Sequence, residues 1–484
     1  MKWFSRITSN VSSGRKALAP RIVLTNTLSG TKELFIPVKP GLALMYTCGP
    51  TVYGKQHIGN LRPALTSDTL ARTLTAANYR VRRVINITDV GHLTDDGDQG
   101  EDKMAIGAAR EQTSPEEIAE RYAALFIDDL TELAVDTGDI RFPRASEYIR
   151  EQIALASSLE EKGFAYRIPD GLYFDTRRFP NYGALGNLAG ATLVAGARIA
   201  QAPGKHHPHD FALWRRAKPG DLQQWDSPWG RGNPGWHLEC SAMIRSLLGE
   251  QIDIHAGGED LAMIHHNDEI AQSEAAHGRP FVRYWVHNAF LTMAGEKVSK
   301  SLGNVVYLSD ITAKGFHPLA LRYFYLQAHY RTPVAFSWGA LAAASSALER
   351  LWRVAHDVRE ESGGAVAPSE ARDRFIAFMR EDLATPQALG ELWEVLRSDE
   401  YTPEEKQGLI EDADVHLGLS LTDPPTHTIA LLEVPEGIQV LMNKREAARA
   451  KKDFDEADRL RREIENRGYR VEDHAEGPIL TKAP

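Results

Sequence analysis

Cys48 and Cys240 are the only two cysteines in this chain of 484 residues, and each sits in a segment crowded with groups that can do chemistry. Cys48 opens CGPTVYGKQHIGN at 48–60, and Cys240 closes GWHLEC at 235–240. A third segment, HHNDE at 265–269, sets His265 and Glu269 four residues apart, on one face of a helix. Two thiolates, an imidazole and a carboxylate complete a tetrahedral zinc shell. Cys48, Cys240, His265 and Glu269 are therefore the expected ligands of one zinc ion per chain. The competing reading makes the cysteines small buried apolar residues and His265 with Glu269 a pair on a helix surface. In the fourth segment, KVSKS at 297–301, Lys297 and Lys300 lie on a stretch whose composition suits a loop closing over triphosphate. Ammonium groups there can meet charge as it develops on phosphate oxygens. The HIGN turn at 57–60 leads into a helix, where imidazole, amide and helix N-terminus all favour phosphate. Taken singly, HIGN reads as turn and cap and the two lysines as solvated. The lack of GxGxxG argues against a dinucleotide site.

Together these segments resemble a known family. HIGN at 57–60 and KVSKS at 297–301 look like the two signatures of class I aminoacyl-tRNA synthetases. GWHLECSAM at 235–243 with HHNDEIAQSEA at 265–275 is similar to the pattern of the cysteinyl-tRNA synthetases, and the resemblance runs from about Ile22 to the C-terminus in the family's motif order. The chain departs from that pattern at Val298, where methionine is usual, at Ala256 in a glycine run, and at Asn267-Asp268 in place of Glu-Asn. The resemblance implies ATP-dependent activation of L-cysteine to cysteinyl-AMP and transfer to the terminal adenosine of tRNA(Cys), with zinc binding the substrate thiolate and Mg²⁺ accompanying ATP. It implies His57, Asn60, Lys297 and Lys300 as catalytic residues, with His57, Gly59, Asn60 and Lys300 against ATP. Cys48, Thr88, Trp236 and His255 would line the cysteine pocket, and Lys444, Arg445, Lys451, Lys452 and Asp473 would contact tRNA. Two other functions keep the same motifs. An ATP-dependent cysteine ligase acting on an amino sugar would not need the long extension beyond Pro318, and an inactive zinc-bearing RNA-binding paralogue would not need His57, Lys297 and Lys300.

The elements that must position these groups are legible in outline. The apolar run 43–48 reads as a buried strand broken by Gly49-Pro50, with a helix from about Asn60, and 82–89 and 252–255 supply further strands. Alternating strands and helices imply an α/β fold, a doubly wound parallel sheet of Rossmann-like type whose ligands bind beyond the carboxyl ends of the strands. Short apolar pieces at 173–175 and 211–214 among turn residues read as an insertion that splits the sheet. The expected organisation is a basic extension at 1–21, a first catalytic half at 22–130 and a connective insertion at 131–225. A second half with the zinc site follows at 226–317, then a stem-contact and helical bundle region at 318–422 and a small anticodon-binding domain at 423–484. Ser114-Pro115 with Glu117 and Thr402-Pro403 with Glu405 carry helix-start signals, and 361–369 and 423–425 read as linkers.

Composition narrows the partners. A net charge of -10 is not that of a uniformly basic nucleic-acid binder, so any RNA surface must be a local patch. No apolar run reaches the roughly 18 residues of a membrane span. Two cysteines make no disulfide framework and suit a reducing cytoplasm. Residues 1–21 hold Lys2, Arg6, Arg15, Lys16 and Arg21 with no acid. They read as a short disordered extension, the alternative being a transit peptide and an organellar matrix. A monomer is expected. Asp95, Asp96, Asp98, Glu101 and Asp102 lack calcium-loop spacing and read as a solvated loop, and His206, His207 and His209 around Pro208 as a surface loop.

Overall fold

The computed structural model describes residues 21–90, 93, 100–187, 204–293, 296–297, 305–425, 436–450, 453–474 and 477–482. A hairpin of β1 (Val23–Asn26) and β2 (Thr31–Leu34) precedes β3 (Leu42–Thr47), α1 (Ile58–Ala76), β4 (Arg80–Ile85), α2 (Lys103–Glu111), α3 (Pro115–Glu132) and β5 (Ile140–Arg141). Next come α4 (Ile149–Glu161) and an antiparallel sheet of β6 (Ala165–Ile168), β7 (Gly171–Phe174), β8 (Phe211–Arg216) and β9 (Gly232–Pro234). The chain then returns through α5 (Trp236–Leu247), β10 (Ile252–Gly258), α6 (Glu259–Ala262), α7 (His265–His277) and β11 (Val282–Asn288). Strands β11, β10, β3, β4 and β5 pair in that order, all parallel, to form the main sheet. The chain therefore winds outward from β3 in both directions, and the order reverses between β3 and β10. That reversal opens a crevice beyond their carboxyl ends.

Strand β3 shows why the sheet is stable. Ala43 and Met45 enter a core shared with α1, while Leu44 and Tyr46 enter a second core shared with α5 and α7. A strand covered on both faces needs an unbroken apolar run, and LALMYT provides one. Strand β10 tolerates the fully buried Asp253 because its carboxylate accepts the backbone N–H groups of Val38 and Leu44. Strand β4 ends at Ile85, short of the expected 89. Residues 86–90 leave the ladder to make isolated bridges, Ile87 to Arg144 and Thr88 to Thr51.

After β11 the chain forms β12 (Leu291–Met293), β13 (Glu296–Lys297), α8 (Leu308–Ala313), α9 (Pro318–Leu326) and β14 (Val334–Phe336), with the strands paired β13-β12-β14. A bundle follows, of α10 (Trp338–Ser362), α11 (Glu370–Arg380), α12 (Thr385–Arg397) and α13 (Pro403–Leu417). The expected starts of α3 and α13 are present, each with its capping box and proline. The linker-like stretch 361–369 joins α10 to α11 inside the bundle, and the left-handed Gly363 ends α10. A small unit of α14 (Glu436–Ala450), α15 (Phe454–Glu465) and the hairpin β15 (Tyr469–His474) with β16 (Gly477–Lys482) closes the chain. Ile438, Leu441, Met442, Leu460, Ile464 and Val471 form its own core. No helix among the described residues is long and apolar enough to cross a membrane. The basic residues Lys2 to Lys16, Asp95, Asp96 and Asp98 lie outside the described residues.

Candidate active site and metal centre

The crevice at the sheet's reversal holds the thiols. Strand β3 delivers Cys48 one residue past its end, α5 carries Cys240, and α7 opens at His265 and sets Glu269 one turn further on. One ligand atom from each of these four side chains lies within 4.8 Å of the others. Zinc arms of about 2.0–2.3 Å give a tetrahedron with edges of about 3.3–3.8 Å, so modest side-chain adjustment closes the shell. Two sulfurs, a nitrogen and an oxygen form a set that zinc accepts, and the residues fit the ion. A second set, Cys48, His255, His266 and Glu269, converges equally closely. It offers one sulfur instead of two.

Helix α7 is buried on almost every side despite its polar sequence, and partners explain how. His265 Nδ1 lies 3.0 Å from His237 Nδ1, and His237 Nε2 lies 3.4 Å from Asp268 Oδ2. That relay turns His265 Nε2 toward the cage, 3.0 Å from Glu269 Oε1. His255 Nε2 lies 3.0 Å from the other oxygen, Oε2, and so orients the carboxylate. Such outer partners fix ring orientation at metal sites. His266 Nε2 approaches Cys48 Sγ at 3.3 Å, and its Nδ1 meets His287 Nε2 at 2.7 Å. The unusual Asn267-Asp268 pair also has work. Asn267 donates to the carbonyls of Leu185, Ala262 and Met263, and Asp268 accepts from the Tyr182 hydroxyl at 2.6 Å.

Burial and crowding sort the charges. Burial pushes the Cys240 thiol up, but hydrogen bonds with Cys48 and His265 outweigh it and bring Cys240 down to about 6. Cys48 rises well above the ordinary thiol range through burial and the neighbouring Cys240 and Glu269. Burial opposes ionisation of Glu269, yet His255 and His265 hold it down to about 2. His237 and His266 are driven well below their usual range by burial, which keeps both neutral near pH 7.

The remaining site residues are placed as follows. Gly49 N–H donates to Asn86 Oδ1 at 2.9 Å, Asn86 Nδ2 to Thr88 Oγ1 at 3.2 Å, and Thr88 Oγ1 to Glu239 Oε2 at 3.0 Å. A Cβ on Gly49 would sit 1.7 Å from the Asn86 carbonyl oxygen, so only glycine fits there. Trp236 stacks on His265 with ring centroids 4.3 Å apart. At the HIGN turn, His57 N–H donates to Asn60 Oδ1 at 3.2 Å, and a Cβ on Gly59 would press on the His57 ring at 3.1 Å. Lys297 is placed by its backbone in β13, and Lys300 lies outside the described residues. In α14, Lys444 is exposed whereas Arg445 is buried and pairs with Glu446 at 2.8 Å. Lys451 and Lys452 lie outside the described residues, and Asp473 pairs by backbone with Pro478.

His237, Glu239, His266, Asp268 and His287 belong to the site but were not expected. The first four sit inside the segments that carry the ligands, so the density of polar residues there was the available signal. His287 had none, since the parallel register of β10 with β11 alone brings it alongside Gly257. Among the three histidines near Pro208, His206 approaches Asp175 at 3.5 Å, and Asp210 converges with both. Asp210 already accepts from Thr176 N, Thr176 Oγ1, Tyr166 OH and His207 N, so this cluster is a loop fastening. Asp102 caps α2 by accepting from Met104 and Ala105 N–H.

Residues 34–346 match the family model described as tRNA synthetases class I (C) catalytic domain, and residues 432–477 match the Cysteinyl-tRNA ligase anticodon binding domain. A Cysteine–tRNA ligase 1 from Burkholderia lata is 45% identical over 95% of this chain and 96% of its own. A Cysteine–tRNA ligase from Chlorobaculum tepidum is 41% identical over 94% and 98%. Among solved structures, a ternary complex of Agrobacterium radiobacter K84 agnB2 LeuRS with tRNA and LeuAMS aligns with a TM-score of 0.57 at 13% identity, covering 82% of this chain and 87% of that one. A Mycobacterium tuberculosis methionyl-tRNA synthetase with methionyl-adenylate aligns at 0.53 and 15%, covering 81% and 93%. These two likenesses concern the fold.

Proposed function

The chain belongs to the cysteinyl-tRNA ligase family of class I aminoacyl-tRNA synthetases, and from that membership we propose that the crevice between β3 and β10 activates L-cysteine with ATP for transfer to tRNA(Cys). The observation that carries the reading is the convergence of Cys48, Cys240, His265 and Glu269 where the strand order reverses. These four residues would hold a zinc ion. Bound there, zinc supplies a soft Lewis acid that prefers a thiolate to a hydroxyl, a distinction that pocket size alone gives poorly.

The protein's own groups do the rest. Trp236 and the Asn86–Thr88–Glu239 chain wall the cysteine pocket and hold the substrate still. His255 acts behind that wall, where it orients Glu269. A carboxylate oxygen of cysteine attacks the α-phosphorus of magnesium-bound ATP, and the bond to the pyrophosphate oxygen breaks as the new O–P bond forms. His57, Asn60 and the N-terminus of α1 stabilise the phosphate oxygens, and Lys297 and Lys300 meet the charge on departing pyrophosphate. A hydroxyl of the terminal adenosine of tRNA then attacks the cysteinyl carbonyl, and AMP leaves. Alignment and charge stabilisation carry the rate. The C-terminal unit, at 423–484, reads the tRNA, with Lys444 on its exposed face.

Cysteine-dependent ATP–pyrophosphate exchange and tRNA charging, measured on the full chain and on a chain ending at residue 422, test the reading. Exchange survives in both, whereas charging falls sharply in the shorter form. Exchange without charging in the full chain would point to transfer onto another acceptor, and no exchange would remove the reading.

A further inference from the structure

Arg62 lies one turn into α1, just beyond the HIGN turn, and is 2% exposed. Its guanidinium reaches four backbone carbonyls. Nη1 donates to Ala289 at 2.5 Å and Phe290 at 2.9 Å, and Nη2 donates to Tyr330 at 3.2 Å and Thr332 at 2.8 Å. Residues 289–290 run directly into β12, and 330–332 run into β14. These strands pair in parallel with Leu291 opposite Val334, and β12 carries β13 on its other edge with Thr292 opposite Lys297. One side chain from the HIGN helix thus grips both stems of the small sheet that bears Lys297.

Two further contacts tighten the same joint. The Tyr325 hydroxyl donates to the Ile58 carbonyl at 3.0 Å, with the Arg62 guanidinium 5.7 Å from its ring centre. Ile58 N–H donates to Val306 O at 2.8 Å, so Ile58 and Arg62 together bond the start of α1 to the chain on both sides of the KVSKS segment. Burying a cation among neutral carbonyls is unfavourable unless its donors are used, and burial lowers the Arg62 pKa. The geometry explains why arginine occupies the position. A planar fork of five donors can bridge two segments, whereas the three donors of lysine radiate from one nitrogen.

We propose that Arg62 is a positioning residue for adenylate formation, one that fixes the distance between the HIGN turn and the lysine-bearing hairpin. It touches neither cysteine nor phosphate and acts through α1, β12 and β13. The inference rests on the synthetase reading above.

The test uses Arg62→Gln and Arg62→Lys in the zinc-loaded full chain, beside Arg322→Lys. Arg322 is an equally buried arginine that bonds Asp68 on α1 and the carbonyls of Leu133 and Leu417 without touching either stem. Single-turnover adenylate formation, cysteine affinity, zinc content and thermal midpoint are measured on each. Arg62→Gln slows adenylate formation by about 10- to 100-fold, the scale of an ångström-sized misplacement. Its zinc content and cysteine affinity stay unchanged. Arg62→Lys recovers part of the rate, and Arg322→Lys loses thermal stability while its rate per zinc-loaded chain holds. If Arg62→Gln does not accumulate as folded protein, Arg62→Lys and Tyr325→Phe carry the test, each slowing the same step. A normal rate in the Arg62 variants, or an equal loss in Arg322→Lys, overturns the inference while leaving the synthetase reading intact. Absence of cysteine-dependent exchange in the unmodified protein overturns both.

Discussion

Among the described residues, the buried ionisable groups around Asp68 and those around Cys240 are built on opposite plans. Around Asp68 on α1, Arg72, Arg83 and Arg322 donate to one carboxylate at 2.7, 3.1 and 2.6 Å. The spare donors of Arg322 go to the carbonyls of Leu133 and Leu417, and Arg72 also reaches that of Ala134. The cluster ties α1 to β4, α9 and the end of α13. Around Cys48, Cys240, His265 and Glu269, by contrast, ligand atoms converge on one point, and the donors that could have neutralised them are recruited to aim them instead. His255 holds one oxygen of Glu269, and His237 holds the far nitrogen of His265. Charges that pair with one another fasten elements together, whereas ligand atoms that converge on one point offer a site.

If that contrast is right, breaking the two clusters does different damage. The largest effect belongs to the cage. Cys240→Ser removes a ligand, and the expected loss in zinc affinity and in cysteine-dependent exchange exceeds the 10- to 100-fold, approximately, typical of outer partners. Elemental analysis and exchange kinetics report it, while thermal stability changes little by comparison. Full zinc content in that variant would break the contrast.

Asp68→Asn should do the reverse. Leaving the buried guanidinium groups of Arg83 and Arg322, and the partly exposed one of Arg72, without their anion costs about 3–5 kcal/mol. Denaturant unfolding shows the loss, and the folded fraction keeps its zinc and its cysteine affinity. The same residue governs an acid limb. Burial opposes ionisation of Asp68, but Arg322, Arg72 and Arg83 hold its carboxyl far below the usual range. Its stabilising contribution is therefore complete above the unfolded value of about 3.9 and is lost as pH falls below it. Thermal midpoints between pH 6 and 3 should fall more steeply for the unmodified protein than for Asp68→Asn.

A smaller effect sharpens the comparison from the other side. Asp129 on α3 has neither plan, since its buried Oδ2 has no partner and burial lifts its carboxyl to about 7. A folded value above the unfolded one means that stability is lost as pH rises from about 4 through 7. Asp129→Asn should raise the thermal midpoint at pH 8 more than at pH 5. An equal change at both values would show that solvent already satisfies the group.

The two clusters also differ in how far the sequence discloses them. The cage is legible because cysteine is rare here and because each ligand stands in a short polar segment, so residue type and local spacing carry the signal. Strand β3, helix α1 and the capped starts of α3 and α13 are legible for the same reason. The Asp68 cluster is not, since Arg322 stands 254 positions away and nothing beside it marks it as a partner. Arg62 reads as an ordinary helix residue until β12 and β14 are brought against it. Strand β9, whose residues are Gly-Asn-Pro, owes its pairing to β8 and to no propensity of its own.

The central claim is that the cage holds zinc and presents it to the substrate thiolate, and zinc-edge X-ray absorption on the purified protein tests it most directly. Two sulfur neighbours at about 2.3 Å are expected in the protein alone. Adding L-cysteine should raise the sulfur count to three, and adding L-serine should leave it at two. A count that does not change with cysteine would contradict the account, because the metal would then be structural and thiol selection would have to arise elsewhere.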